Sequence, residues 1–250
     1  MNLLLFEPNE IKNDDSVSLK DRRSEHIVRI LGCKPGDIIR AGMINGPVGT
    51  AKILSIQGKG KCAEVVLHFS AHGELPKQPE IDVVMGMMRP IMLKRVLAQL
   101  ASLGVGKIFL INAHLVEKSF FNASLLKNEK YRTYLIEGLE QAKDTRLPQV
   151  SIHKRFKPFI EDFIPLIADN YNRMLVAHPE GGSDLKQAVG NAIKGRTLLA
   201  VGPEGGWIDF EIEKFTECSF VPVSMGSRVL RTDTAVVSLL AQLMLLRGES

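Results

Sequence analysis

Residues 198–235 read LLAVGPEGGWIDFEIEKFTECSFVPVSMGSRVLRTDTA, and two short apolar runs in this stretch each end in a glycine-punctuated loop. The run 198–201 has strand length and composition. Gly202 and Pro203 then force a turn, and Gly205 and Gly206 let a ligand approach bare backbone. A helix is expected next, with Asp209 as its N-cap. The same order recurs as a strand at 220–223, a loop at Met225, Gly226 and Ser227, and a long apolar segment from Val229 that reads as helix. Two consecutive strand ends would set these loops side by side, and ligands of open α/β sheets sit at the carboxyl ends of strands. The stretch therefore predicts a sheet with a ligand cradle at one end.

Working outward, the pattern upstream alternates. Strands are expected at 81–86, 107–111, 149–153 and 173–177, and helices at 92–103, 125–142, 158–170 and 185–192. Such alternation means a parallel sheet covered on both faces. Before it, two prolines and a glycine in a polar run mark a linker at 73–80, which divides a first domain, 1–72, from a second, 81–250. The first domain is β-rich, with strands expected at 3–6, 38–41, 48–56 and 62–69. One helix, 22–31, places Ile27, Ile30 and Leu31 on one face and is stopped by Gly32. Its basic residues Arg22, Arg23, His26 and Arg29 are left for the other faces, as a solvated helix face or an RNA-contacting surface.

Composition sets wider bounds. The 250 residues are 45% apolar and 24% charged, ordinary values for a globular chain. The 32 basic and 28 acidic groups give +4, which permits a nucleic-acid partner without requiring one. Cys33, Cys62 and Cys218 form no Cys-x-x-Cys pair, so neither a disulfide framework nor a zinc ribbon is supported, and a cytoplasmic location fits. The six histidines are scattered, and no metal is expected. MNLLLFEPNEIKNDD lacks the basic start of a signal peptide and reads as a first strand. The apolar segment 234–246 is too short for a membrane span and carries Ser238 and Gln242. Its apolar residues wrap the helical circumference, so it calls for burial on all sides, in the core or at a subunit interface. The esterase elbow, the Walker lysine loop, the His-Glu-x-x-His zinc motif and the dinucleotide Gly-x-Gly-x-x-Gly are all missing.

GPEGG at 202–206 followed by GSRVLRTDTA at 226–235 resembles the 16S rRNA (uracil-N3)-methyltransferase family, a branch of the SPOUT superfamily of S-adenosylmethionine-dependent enzymes. Further matches are HIVRILGCKPGD at 26–37, SLGVGKI at 102–108, EQAKDTRLPQV at 140–150 and LVAHP at 175–179. The resemblance covers nearly the whole chain and is strongest after Leu175. It implies a SPOUT-type α/β fold, a parallel sheet with a C-terminal trefoil knot preceded by a small PUA-like RNA-binding domain. It also implies a homodimer and a methyl acceptor in small-subunit rRNA. The S-adenosylmethionine cradle would comprise Ala177, His178 and Pro179; Gly202, Pro203, Glu204, Gly205 and Gly206; Ser224, Met225 and Gly226; and Val229, Leu230, Arg231 and Thr232.

The sulfonium is already an activated donor, so the protein's work is positioning and charge handling. If the acceptor is uracil N3, its proton leaves as the methyl arrives and negative charge spreads to the flanking carbonyl oxygens. Arg231 and Arg146 are the cations expected to stabilise it, and Glu204 could favour the sulfonium, accept the proton or orient its loop. Arg22, Arg23, His26, Arg29, Arg89, Lys94 and Arg228 are the candidates for RNA contact. The chain departs from the family pattern at Gly32, Ala98, Ser102 and Asp144, which leaves open a different rRNA or tRNA nucleotide. A non-catalytic ribosome-assembly protein is the alternative from another class.

Overall fold

The computed structural model describes residues 2–58, 63–72, 75–180, 182–190 and 192–248. Cys62 and the linker residues Gly73 and Glu74 lie outside the described residues. The chain forms two compact units, Met1–Gln78 with Ile136–Leu147, and Pro79–Leu135 with Pro148–Ser250.

The first unit contains β1 (Leu4–Phe6), β2 (Ser16–Leu19), α1 (Arg22–Glu25), β3 (Ile38–Met43), β4 (Val48–Gln57) and β5 (Glu64–Ala71). These strands form one sheet in the order β1-β3-β4-β5-β2, parallel only between β1 and β3. Leu4, Phe6, Val17, Leu19, Ile53, Leu67 and Phe69 pack into its core, where the rings of Phe6 and Phe69 meet edge to face at 4.8 Å. Strand β2 escapes sequence reading because it is short and half serine. Its Val17 and Leu19 nonetheless alternate onto the buried face.

The helix expected at 22–31 is α-helical only to Glu25 and continues as a π-helical turn, His26–Ile30. Its wider i→i+5 winding no longer stacks residues three apart, so Ile27 is buried while Ile30 and Leu31 stand exposed. The segment Ile136–Leu147, which sequence reading groups with the second domain, is tied to this unit instead. The amides of Asn2 and Leu3 donate to the Glu140 carbonyl at 3.2 and 3.1 Å, and the Thr145 hydroxyl donates to the Gly46 carbonyl at 2.7 Å. A Cβ on Gly42 would lie 2.7 Å from the Thr145 methyl, so this glycine permits the approach.

The second unit runs β6 (Ile81–Gly86), α2 (Pro90–Ser102), β7 (Lys107–Ile111), the start of α3 (Arg132–Ala142) and β8 (Gln149–His153). It continues with α4 (Ile164–Ile167), β9 (Arg173–Ala177), β10 (Ser183–Asp184), α5 (Leu185–Val189), β11 (Thr197–Val201), α6 (Asp209–Glu217), β12 (Val221–Ser224) and α7 (Thr232–Arg247). Seven parallel strands take the order β10-β12-β9-β11-β6-β7-β8. The central β6 and β11 are buried along their whole length, as the continuous apolar run of β11 requires.

Helix α2 starts with Pro90 and turns Leu93, Val96, Leu97, Leu100 and Ala101 inward at helical spacing. Helix α3 starts at Arg132 rather than near 125, because Asn128 adopts φ 52° inside a preceding 3-10 turn. Helix α5 ends at Val189, where Gly190 turns to φ 82°. Within the chain α7 is buried on one side only, with Val236, Leu239, Leu240 and Leu243 in the core and Leu245 73% exposed, so core packing alone does not cover its whole circumference.

At the amino end of the sheet, Asp82 on β6 is fully buried. It accepts from Arg196 Nε and Nη2 at 2.8 and 2.9 Å, from Tyr171 Oη at 2.6 Å and from the Lys107 amide at 2.7 Å. Burial and the bond to Asp82 push the Tyr171 hydroxyl well above the ordinary phenol range. A buried carboxylate is tolerated here because its lone pairs are met.

Candidate active site

At the carboxyl ends of β9, β11 and β12 lies a cavity of about 390 Å³, lined by residues 177–180, 201–207, 223–226 and 228–230 with Asp209, Thr232, Ala235 and Leu239. The local backbone explains its shape. Ala177 and Val201 end their strands, and the His178 amide, donating to the Val223 carbonyl at 2.9 Å, holds the first loop against β12. The Gly206 amide donates to the Pro203 carbonyl at 2.9 Å and closes a tight turn.

Gly206 and Gly226 adopt φ of +77° and +97°, and a Cβ on either would meet nothing within 4 Å. Both loops thus present bare backbone in a conformation that L side chains resist. Gly205 also lines the cavity, and a Cβ there would sit 2.8 Å from Leu115 Cβ, so its lack of a side chain allows close packing against Leu115 as well. Helix α7 contributes Thr232, Ala235 and Leu239, which share one face at i, i+3, i+7 spacing.

Fourteen residues of the expected cradle, Ala177 to Pro179, Gly202 to Gly206, Ser224 to Gly226, Val229, Leu230 and Thr232, line this one cavity. Arg231 does not. It is the N-cap of α7, mostly exposed, with Nε 3.7 Å from Asp233 Oδ1. Arg228, read from sequence as a candidate for RNA contact, stands in the cavity wall. Asp209 is the first residue of α6, not its N-cap. Ile208 takes the cap position, and the Glu211 carboxylate reaches back to accept from the Ile208 amide at 3.1 Å. Sequence reading also passed over Trp207, whose buried Nε1 has no hydrogen-bond partner. Its position directly after the glycine loop was the available signal.

Arg146 belongs to the first unit, where its Nε donates to the Pro76 carbonyl at 2.9 Å, and it is not among the residues lining the cavity. Of the basic residues on α1 and its continuation, Arg23 is drawn inward with a side chain 12% exposed. It binds the carboxylates of Glu10 and Asp21 and donates through Nη1 to the Leu5 carbonyl at 3.0 Å. Those bonds commit its guanidinium to structure, which corrects its assignment to an RNA-facing set. Arg22 makes a bidentate pair with the buried Glu140, 3.1 Å at each contact, and Arg29 pairs with Glu25 one turn away. His26 has a buried Nε2 without a partner, and burial, aided by the charge of Arg22, holds its pKa below the ordinary value. Arg89 is exposed at the N-cap of α2, and exposed Lys94 lies over the Tyr134 ring, 5.4 Å from its centroid.

The profile of the RNA methyltransferase domain matches residues 75–244, the part of the chain that holds the cavity. The chain belongs to that family. It is 35% identical over 94% of its length to ribosomal RNA small subunit methyltransferase E of Treponema pallidum, of which the match covers 87%. It is 33% identical to ribosomal RNA small subunit methyltransferase E 1 of Borreliella burgdorferi, covering 95% of each chain. The crystal structure of ribosomal RNA small subunit methyltransferase E from Neisseria gonorrhoeae bound to S-adenosyl methionine superposes with a TM-score of 0.77 at 20% identity, over 99% of this chain and 98% of that one. This likeness extends the shared fold across both units. Among the described residues there is no cluster of His, Cys, Asp and Glu that could hold a metal ion, and no helix long and apolar enough to cross a membrane.

Proposed function

We propose that this protein transfers the methyl group of S-adenosylmethionine to small-subunit rRNA, at N3 of a uridine, as a cytoplasmic homodimer. The observation that carries the reading is the cavity at the ends of β9, β11 and β12, where two glycines in left-handed conformations bare the backbone of adjacent loops. Backbone amides and carbonyls there suit the adenosyl and methionine groups of the cofactor. The bound cofactor would supply a methyl on a sulfonium, so no covalent intermediate with the protein is needed. Glu204 is the carboxylate in the cavity wall that would favour that positive charge or take the N3 proton. Arg228 in the wall, with Arg231 at the rim, would face the negative charge that develops on the uracil oxygens.

The same reading includes the trefoil knot. Its support is that β11 enters between β9 and β6, and β12 between β10 and β9, after the strands on both sides of β11 are already laid down. It also assigns RNA affinity to the first unit, through exposed Arg22 and Arg29, with Arg89 and Lys94 on the second.

The test is methyl transfer from radiolabelled S-adenosylmethionine to small subunits and to naked rRNA from cells lacking the protein, followed by primer extension. A methyl on N3 blocks the Watson-Crick edge, so reverse transcriptase should stop at one new position. Incorporation without such a stop would refute the N3 assignment, and no incorporation into either RNA would refute the function.

A further inference from the structure

A second cavity, of about 290 Å³, opens at the carboxyl end of β7. It shares a wall with the first. Trp207 and Asp209 line the first cavity, whereas Ile208 and Phe210 line the second. Ile208 is extended, at φ −84° and ψ 161°, and leads into α6 at Asp209. The partition between the cavities is thin, since the Trp207 ring, which lines the first, lies 6.4 Å from the Phe156 ring, which lines the second.

The lining of the second cavity has the makings of a nucleotide site. Phe156 and Phe210 offer aromatic rings, Lys118 and Lys157 offer ammonium groups, and the Lys157 Nζ lies 5.3 Å from the Phe210 centroid. Asn112, the first residue after β7, lines it with an amide oxygen that is buried and has no partner. Its backbone amide is already used, donating to the His153 carbonyl at 2.9 Å. The carboxylate in the lining, Glu211, accepts from the His114 amide at 2.8 Å and the Ile208 amide at 3.1 Å, so both its oxygens are engaged by the protein.

The geometry points to this cavity as the seat of a nucleotide adjoining the methylated one in the single-stranded RNA substrate, an inference that rests on the proposed rRNA methylation. The base stacks on Phe210 or Phe156, an edge N–H of the base donates to Asn112 Oδ1, and Lys118 and Lys157 hold the flanking phosphates. Aromatic faces beside cations are how proteins bind single strands, with stacking indifferent to sequence and lysines acting as point charges on phosphate. The occupant is a neighbour rather than the target, because the target base must present its N3 inside the first cavity, across the partition.

The chain has one tryptophan, Trp207, and it stands in that partition, so its fluorescence reports binding. A 5′-phosphorylated hexamer of uridylate is titrated into the full-length protein saturated with S-adenosylhomocysteine, for the parent, Phe210→Ala, Phe210→Tyr and Lys118→Glu/Lys157→Glu. Phe210→Ala should weaken binding about tenfold or more, the scale of one lost base stack. Phe210→Tyr should restore it. The lysine variant should lower the slope of log affinity against log salt by about 1.4, the release expected from two phosphates of a single strand. S-adenosylmethionine affinity by calorimetry should stay at the parent value for the lysine variant, whose substitutions touch no residue of the first cavity.

Hexamer affinity and salt slope equal to the parent in all variants would overturn the proposal. So would loss of S-adenosylmethionine binding with RNA affinity intact, which would assign this cavity to the cofactor. The hexamer titration needs no turnover. If the parent methylates no rRNA yet the variants bind the hexamer as expected, the proposed function fails and the nucleotide seat stands. Methylation with parental hexamer binding in every variant gives the reverse.

Discussion

Replacing Gly206 by Ala should weaken S-adenosylmethionine binding about fivefold to thirtyfold. Gly206 holds φ +77°, and a Cβ built there meets no atom within 4 Å, so the substitution neither collides with the protein nor gains packing. What it adds is the strain of a left-handed L-residue, about 1–2 kcal/mol. If the loop keeps its shape, that strain appears as lost stability, about 2–8 °C of Tm for a domain of this size. If the loop relaxes, the binding-competent fraction falls and the apparent Kd rises in proportion, at about 1.4 kcal/mol per tenfold. Gly104→Ala is the control. Gly104 sits at φ +68° beyond the end of α2, also with nothing within 4 Å, so it carries comparable strain away from the cavity. Calorimetric Kd and thermal melts of both variants separate the two costs. A Kd within twofold of the parent together with an unchanged melt for Gly206→Ala would refute the strain reasoning, and an equal loss of affinity in Gly104→Ala would refute the assignment of the 202–206 loop as cradle.

Arg231→Ala should lower single-turnover methyl transfer about a hundredfold while changing cofactor Kd little, because Arg231 stands at the rim and not in the lining; an undiminished rate would remove it from the chemistry. Leu240 cannot test the proposed dimer, since it is fully buried within its own chain, but Leu245 is 73% exposed on α7. Leu245→Glu should shift light scattering from dimer to monomer with the melt preserved, and an unchanged dimer would place the interface elsewhere. Glu10 has its pKa held below the ordinary 4.5, first by the hydrogen bond from Arg23. A carboxyl lowered in the folded state stabilises fully above its unfolded pKa and loses that contribution as pH falls through the folded value. The parent's unfolding free energy from urea melts should therefore exceed that of Glu10→Gln by a constant margin, about 1 kcal/mol or less, above about pH 5, and the margin should vanish on further acidification; a margin independent of pH would contradict the pairing.

Much of the proposed cofactor cavity was legible in the chain itself, because its parts are local. Apolar runs that end in Gly202 and Gly226 are strand ends whatever surrounds them, and loops at parallel strand ends converge wherever the strands lie close. The alternation after residue 80 likewise declared a parallel sheet. What lay beyond the sequence was whatever depends on partners far along the chain. Arg23 looked like its neighbours on a basic helix until Glu10, Asp21 and the Leu5 carbonyl closed on it. Ile136–Leu147 continues a helix of the second unit, yet its hydrogen bonds run to Asn2, Leu3 and Gly46. Strand order shows the same limit, since β11 lies between β9 and β6 and no periodicity announces it. The second cavity draws its lining from three segments, 112–118, 156–157 and 208–211, that lie far apart in the sequence. Periodicity and turn chemistry are properties of a few consecutive residues, whereas burial, ion pairing and the walls of a cavity belong to segments that meet only when the chain has folded.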